Sequence, residues 1–208
     1  MPCGDPPTHQ ELRGTRSPST PKGSIDPALI PAAFALDAGA RFVARSIDTL
    51  QPHLVEVLKR AHAHQGAAFV EIFQNCVVFN DGVFDGFTAR EVAADQQLHV
   101  EHGKPLVFGA QKNRGVRLRP GSMTLEVVTL GDGISESDLL VHDQTSRPLA
   151  MLLAGMQQPE FPMALGVLYD DPQPSYEEAV HNQIAQEKAV AKGGLREAIL
   201  GANTWTIS

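Results

Sequence analysis

Apolar and polar positions follow several rhythms along this chain, and each predicts a different kind of element. Arg41-Phe-Val-Ala-Arg45 is a short apolar-centred run. Asp48 or Thr49 is placed to cap a following helix that carries Pro52 in its first turn, where a missing N–H is tolerated. Leu54, Leu58 and Ala61 then recur on one helical face, and Gly66 can end the helix in a left-handed conformation. The run Ala67-Ala-Phe-Val-Glu-Ile-Phe73 is nearly all apolar, as expected of a strand covered on both faces in a parallel sheet. Residues 41 to 73 therefore read as a βαβ unit, the building block of doubly wound α/β folds. Just upstream, Ala and Leu dominate residues 28 to 40, with Pro31 near the start, which predicts a helix ending near Gly39.

Beyond Cys76 the rhythm shortens. Asn80-Asp81-Gly82 and Asp85-Gly86 read as turns. Residues 98 to 100 and 106 to 108 flank His102-Gly-Lys-Pro105, and residues 115 to 118 and 124 to 128 flank Pro120-Gly-Ser122, which predicts two small hairpins. A strand over 138 to 142, a helix near 149 to 156 and a strand over 164 to 169 follow. Residues 175 to 192 make a strong helix: Ser175 can cap it, Glu177 and Glu178 suit its positive end, Lys188 and Lys192 its negative end, and Gly193-Gly194 stop it. The expected class is α/β, a partial doubly wound parallel sheet over residues 28 to 80 followed by a smaller α+β lobe with hairpins over 81 to 208. Residues 1 to 27 hold Pro2, Pro6, Pro7, Pro18, Pro21 and Pro27 and read as extended or loose.

Composition narrows the function classes. A chain of 208 residues, 42% hydrophobic, can bury a sizeable core. Its net charge of −7 argues against nucleic acid, whose binding domains gather Lys and Arg on one face. No run approaches the ~20 apolar residues of a membrane span, and the start lacks a basic-then-apolar secretion signal, so a cytoplasmic location is expected. Cys3 and Cys76 are too few for a disulfide framework.

Cys76 is the candidate for chemistry, because it follows directly on the best-predicted parallel strand, and the carboxyl ends of such strands are where open α/β sheets bind ligands. A thiolate there can bind soft metal, carry an iron–sulfur cluster or act as nucleophile. On position alone a buried, inert thiol is the favoured reading. The histidines make a weaker case. His62 and His64, two apart on a helix, point to different faces and are expected to be solvated. His99 and His102 flank a turn, and a His142 to Asp143 hydrogen bond is expected to be structural.

The string Val70-Glu-Ile-Phe-Gln-Asn-Cys-Val-Val-Phe-Asn-Asp-Gly-Val-Phe84 resembles the segment that closes the thiamine-diphosphate domain in β subunits of 2-oxoacid:ferredoxin oxidoreductases, especially the 2-oxoglutarate type. Further matching stretches run in order from about Leu12: Ser17-Pro-Ser-Thr-Pro-Lys-Gly-Ser24, Phe42-Val-Ala-Arg-Ser46, Glu101-His-Gly-Lys-Pro105 with Phe108-Gly109, Leu139-Leu-Val-His-Asp143 and Thr204-Trp-Thr206. The resemblance implies that residues 28 to 80 close a thiamine-diphosphate domain, and that 81 to 208 form the β subunit's C-terminal domain. It makes Cys76 one of four thiolates around a four-iron four-sulfur cluster, the other three lying toward the family's N-terminus. It also places Leu12 and Gly14 of Glu11-Leu-Arg-Gly-Thr-Arg16 in the segment beside thiamine diphosphate. The family's Gly-Asp-Gly motif, which holds that cofactor with Mg2+, precedes the equivalent of Leu12 and is not found in residues 1 to 11. Gly131-Asp-Gly133 imitates it but reads as a turn.

By resemblance, the implied activity is oxidative decarboxylation of a 2-oxoacid to an acyl-CoA, with electrons passed to ferredoxin and an α subunit as partner. The expectation is a truncated or split β subunit, inactive alone, that holds neither cofactor stably without other polypeptide. Two alternatives stand beside it: a non-catalytic assembly protein that keeps the α-subunit docking surface, and a small-molecule binding module that uses the strand-end crevice.

Overall fold

Strand, helix and strand across residues 41 to 73 form the frame of the molecule. In the computed structural model, which describes residues 21–23, 29–78, 81–191, 193–201 and 205, β1 is Phe42–Ile47, α2 is Gln51–Ala63 and β2 is Ala68–Phe73, preceded by α1, Pro31–Asp37. Pro31 and Pro52 sit in the first turns of their helices, as the sequence predicts. Neither helix has a side-chain cap: Leu50, not Asp48 or Thr49, is the N-cap of α2. β1 and β2 pair in parallel through six residue pairs, Phe42 with Ala68 to Ile47 with Phe73. Short helices α3 (Asp85–Thr88) and α4 (Ala93–Gln96) lead into β3 (Gln97–Val100). A small antiparallel sheet of β4 (Val107–Phe108), β5 (Arg114–Leu118) and β6 (Leu125–Thr129) is followed by α5 (Arg147–Ala154) and β7 (Met163–Asp170).

The larger sheet has the order β2-β1-β7-β3. It is mixed, parallel within β1/β2 and β3/β7 and antiparallel between β1 and β7. Alternation along β1 sends its side chains to two layers. Phe42 and Ala44 meet Val57 of α2 on one face. Val43 meets Leu36 of α1 and Leu153 of α5 on the other. Leu106, Phe108, Val116 and Leu125 of the small sheet share that second core. Gly166 takes a φ of 118° beside the register shift between Val43 and Ala44, and a Cβ there would lie 2.8 Å from the Val100 carbonyl oxygen. Only glycine fits both demands.

Residues up to Gln173 form one unit and Pro174–Ser208 another. In the second, α6 (Tyr176–Val190) starts at the predicted cap: the Glu178 N–H donates to Ser175 Oγ, and the Ser175 N–H donates to Glu178 Oε2. It is followed by α7, Leu195–Ile199.

Several expectations are corrected. Residues 98 to 100 and 106 to 108 do not form a hairpin, because β3 pairs with β7 in the larger sheet while β4 pairs with β5. The second predicted hairpin is present as β5 and β6. Residues 138 to 142 are not a regular strand. A 3-10 turn over Glu136–Asp138 leads into extended chain whose Leu140 N–H donates to the Val116 carbonyl and whose Val141 makes an isolated bridge to Pro105. Asp85-Gly86 opens α3 rather than forming a simple turn. β2 is an edge strand with exposed positions, whereas β1 is the strand buried at every residue.

His64 is not solvated. Its side chain is buried and its Nδ1 lies 2.9 Å from Asp170 Oδ1. The expected His142 to Asp143 bond is absent: His142, 1% exposed, donates from Nε2 to the Val167 carbonyl at 2.9 Å, while Asp143 accepts from Thr145. Among the described residues, His142 Nδ1 has no partner. Burial, the largest influence, lowers the His142 pKa below that of an ordinary histidine. The unfolded chain therefore takes up a proton first as pH falls. Stability is full above the unfolded value of about 6.5 and declines from there toward the lowered folded value. Urea midpoints should fall between pH 7 and pH 5, and His142→Gln should flatten that fall; an unchanged slope would contradict the assignment.

One charged pair joins the layers. Arg45 Nε donates to Glu71 Oε2 at 2.7 Å across the β1/β2 pair, with 1% and 5% of the two side chains exposed. A second guanidinium nitrogen donates to the Ala154 carbonyl at the end of α5, at 3.1 Å. Removing one partner of such a pair leaves a buried charge without its counter-ion, whereas replacing both by apolar groups is often nearly neutral. Glu71→Leu alone should cost about 3–5 kcal/mol, and Arg45→Met combined with Glu71→Leu should recover most of it in the urea midpoint. Additive losses would contradict this account.

Candidate functional site

The carboxyl ends of β1 and β2 carry a loop that is tied down from several directions. Cys76 lies three residues past Phe73, the last residue of β2, and is exposed. That exposure removes the reading of a buried, inert thiol. Asn75, beside it, closes the loop like a clasp: its Nδ2 donates to Asp81 Oδ1 at 2.8 Å and its Oδ1 accepts the Gly82 N–H at 2.9 Å. Gly82 holds a φ of 73°, a conformation that favours glycine.

Beneath the loop sits an aromatic plug. Phe73, Phe84 and Phe87 place their ring centroids 5.1 to 5.8 Å apart, tilted or edge-on, the geometry aromatic pairs prefer. Ile47, Met163 and Leu165 complete the cluster. The segment after the loop is fastened to the sheet by side-chain amides: Gln97 Nε2 donates to the Phe87 carbonyl at 2.7 Å, and Gln158 Nε2 to the Gly86 carbonyl at 2.9 Å. Cys76 thus lies near the strand tips, next to the residue whose hydrogen bonds to Asp81 and Gly82 fasten the loop.

A second polar group lies under α2. Ser46 Oγ is 2.8 Å from His53 Nδ1, and the His53 and His99 rings meet edge-on at 5.1 Å. Burial first, and then the neighbouring His99, lowers the His53 pKa. This group joins β1, α2 and β3, three segments that no local sequence pattern connects. Along β3, at the sheet edge opposite β2, a groove of about 630 Å³ is lined by His99, Glu101, Lys104, Phe108 and Lys112 among others. It is separate from the Cys76 loop.

Of the candidate cofactor and metal residues Leu12, Gly14 and Cys76, Cys76 alone falls in the described loop. Leu12, Gly14 and Cys3 lie outside the described residues. Gly131, Asp132 and Gly133 form the expected turn, with Gly131 and Ile134 bridged by a pair of backbone hydrogen bonds. The reading missed the Asn75 to Asp81 clasp and the phenylalanine plug. The three-residue spacing of Phe84 and Phe87 hinted at the plug, since such a pair shares a face on one helical turn.

The donor set can be compared with that of an iron–sulfur cluster. A four-iron cluster is ordinarily held by four thiolates. Among the described residues no group of three or more His, Cys, Asp or Glu side chains is arranged to hold a metal ion. Cys76 fits as one ligand; the described residues do not make a complete site.

No protein-family model matches the chain. Over 200 residues it is 36% identical to the 2-oxoglutarate oxidoreductase subunit KorB of Mycobacterium tuberculosis, a match that takes in 93% of this chain and 52% of that protein. A stretch of 69 residues is 39% identical to the β subunit of 2-oxoacid:ferredoxin oxidoreductase 1 of Aeropyrum pernix, covering 33% of this chain and 22% of the relative. In structure the chain is similar to part of a 2-oxoglutarate:ferredoxin oxidoreductase from Magnetococcus marinus solved with 2-oxoglutarate, coenzyme A and succinyl-CoA bound. The TM-score is 0.55 at 18% identity, over 92% of this chain and 50% of that one. At that identity the likeness speaks for the fold alone. The chain spans about half the length of KorB.

The clasp makes a local claim that is open to test. Asn75→Ala removes both of its hydrogen bonds, each worth about 0.5–1.5 kcal/mol. Limited proteolysis should then cut faster between residues 74 and 84, and the global urea midpoint should fall by no more than the worth of these two bonds. Unchanged cleavage would mean that the clasp does not hold the loop.

Proposed function

We propose, from the likeness to KorB, of whose length it spans about half, that the chain works as one part of a β subunit of a 2-oxoacid:ferredoxin oxidoreductase. In this reading the reaction is oxidative decarboxylation of a 2-oxoacid, with 2-oxoglutarate favoured by the likeness to KorB. The substrate would lose carbon dioxide, its acyl group would go to coenzyme A and its two electrons to ferredoxin, with iron–sulfur centres supplying the electron route when bound. Thiamine diphosphate with Mg2+ supplies the carbanion chemistry when bound, and protein groups position it. This chain contributes the β1-α2-β2 frame, the Cys76 loop and the lobe that docks on an α subunit. Alone it is inactive.

The observation that carries the reading is the exposed Cys76 on a clasped loop at the carboxyl ends of two parallel strands, where such sheets place their ligands. Cys76 is one thiolate of a four-iron four-sulfur cluster, and the other three come from the portion of the β subunit that these 208 residues do not span. Leu12 and Gly14 keep their proposed place beside thiamine diphosphate. Among the described residues no helix is long and apolar enough to cross a membrane.

Co-expression with the encoded α subunit tests the docking part: the two should co-purify, and separation at micromolar concentration would contradict it. Anaerobic reconstitution of the assembled β portions with iron and sulfide tests the cluster part. Cys76→Ser should remove or reshape the cluster absorption, and a spectrum unchanged by the substitution would show that this thiol is not a ligand. Co-purification with no effect of Cys76→Ser would favour the non-catalytic assembly reading.

A further inference from the structure

Glu101-His-Gly-Lys-Pro105 and Phe108-Gly109 find no use at the Cys76 loop. The fold gives them another place: Glu101, Lys104, Pro105, Phe108 and Gly109 line the groove of about 630 Å³ along β3, together with Lys112. That volume falls within the roughly 300–1,000 Å³ of small-molecule sites. Its walls are fastened on several sides. Arg114 covers the Phe108 ring, its guanidinium carbon 4.7 Å from the centroid. Gln97, 8% exposed, donates from Nε2 to the Phe87 carbonyl at 2.7 Å, and its Oε1 lies 3.1 Å from His99 Nε2. The turn from Gly109 to Lys112 is closed by the Lys112 N–H, which donates to the Gly109 carbonyl at 2.9 Å, and is tied back by the Ala110 N–H, which donates to Asp95 Oδ1 at 3.0 Å.

Lys112 holds a φ of 50°, in the left-handed region that a lysine seldom adopts. Such a conformation persists only where its surroundings fix it, and it concentrates at ligand sites. Charge gives the ligand its sign. Lys104 and Lys112 are exposed, and among the described residues neither makes an ion pair. Burial, the largest influence, lowers the His99 pKa against the opposing pull of Glu101, so at neutral pH the imidazole adds no charge. The ionised side chains of the lining are then Lys104, Lys112 and Glu101, two positive and one negative, a balance of +1 in a chain of net charge −7. One negative charge on a ligand matches that balance. A second would meet the Glu101 carboxylate.

We propose that this groove binds a small monocarboxylic acid with an apolar arm, its carboxylate held by Lys104 and Lys112 and its arm laid against Pro105, Val107 and Phe108. The two lysines alone would hold little, because exposed ammonium–carboxylate pairs are weak. Burial of the arm on the apolar wall supplies the rest of the affinity. A dicarboxylate or a phosphate ester fits less well, since its additional charge faces Glu101. The site is separate from the Cys76 loop, and it stands whether or not the chain works as part of a β subunit.

The test titrates the 208-residue chain with 3-phenylpropionate and 4-methylpentanoate and follows its backbone amides by NMR. Both probes should move the Lys104, Phe108 and Lys112 amides. The neutral 3-phenylpropanamide, which keeps the arm and loses the charge, should bind about tenfold or more weakly than 3-phenylpropionate. Lys112→Glu should weaken 3-phenylpropionate about tenfold, while Lys59→Glu, the same charge change at a lysine outside the groove lining, should leave its affinity unchanged. Ala110→Trp, which fills the groove without altering charge, should abolish binding in a chain still folded by circular dichroism. No movement of these amides at millimolar probe, equal binding of the amide, or equal losses from Lys59→Glu and Lys112→Glu would overturn the proposal. So would binding that survives Ala110→Trp. Tighter binding of 2-oxoglutarate or of coenzyme A at the same amides would overturn it in favour of a polyanion site.

Discussion

Arg45 and Glu71 face each other across two parallel strands with almost no water around them, and the layers of the molecule meet at that contact. A guanidinium in such a place is costly unless its donors are used. Here they reach β2 through Glu71, α5 through the Ala154 carbonyl and the start of β7 through Met163, whose sulfur lies 3.9 Å away. The pair therefore fixes which residue of β1 stands opposite which residue of β2. A slip of one residue would turn Glu71 to the other face of the sheet. Everything downstream of β2, including the direction in which the Cys76 loop leaves the sheet, inherits that register.

From the register follows the character of the site. Phe73, fixed at the end of β2, packs on Phe87 and Phe84, and the amides of Gln97 and Gln158 hold the returning segment against the sheet. Asn75 and Asp81 then close the loop on itself. Cys76 is left exposed on a short, fastened stretch of chain, a placement suited to sharing a ligand with groups from elsewhere.

Local pattern made the βαβ unit legible, because two apolar runs and an amphipathic helix lie within about 30 residues and need only each other. The hairpin of β5 and β6 was legible for the same reason, from Pro120-Gly-Ser122 between alternating strands. β3 was misread because the turn at His102-Gly-Lys-Pro105 is a strong local signal, while the strand that β3 pairs with, β7, begins at Met163. The apolar run of β2 gave its type correctly and its cover incorrectly, since a sequence does not state whether the neighbour that would cover it is present. Cys76 could be placed at a strand end from spacing. Its exposure depended on the path of the loop, which is set by Asn75, Asp81 and three phenylalanines that meet only in the fold.

The central claim is that the exposed sulfur of Cys76 becomes a ligand once the rest of the subunit is present. Alkylation by iodoacetamide, located by mass spectrometry, tests it in the assembled protein before and after iron is stripped by a chelator. The account predicts that Cys76 is shielded in the iron-loaded assembly and labelled once the iron is gone, with the assembly still intact by mass. Equal labelling of Cys76 in both states would contradict it.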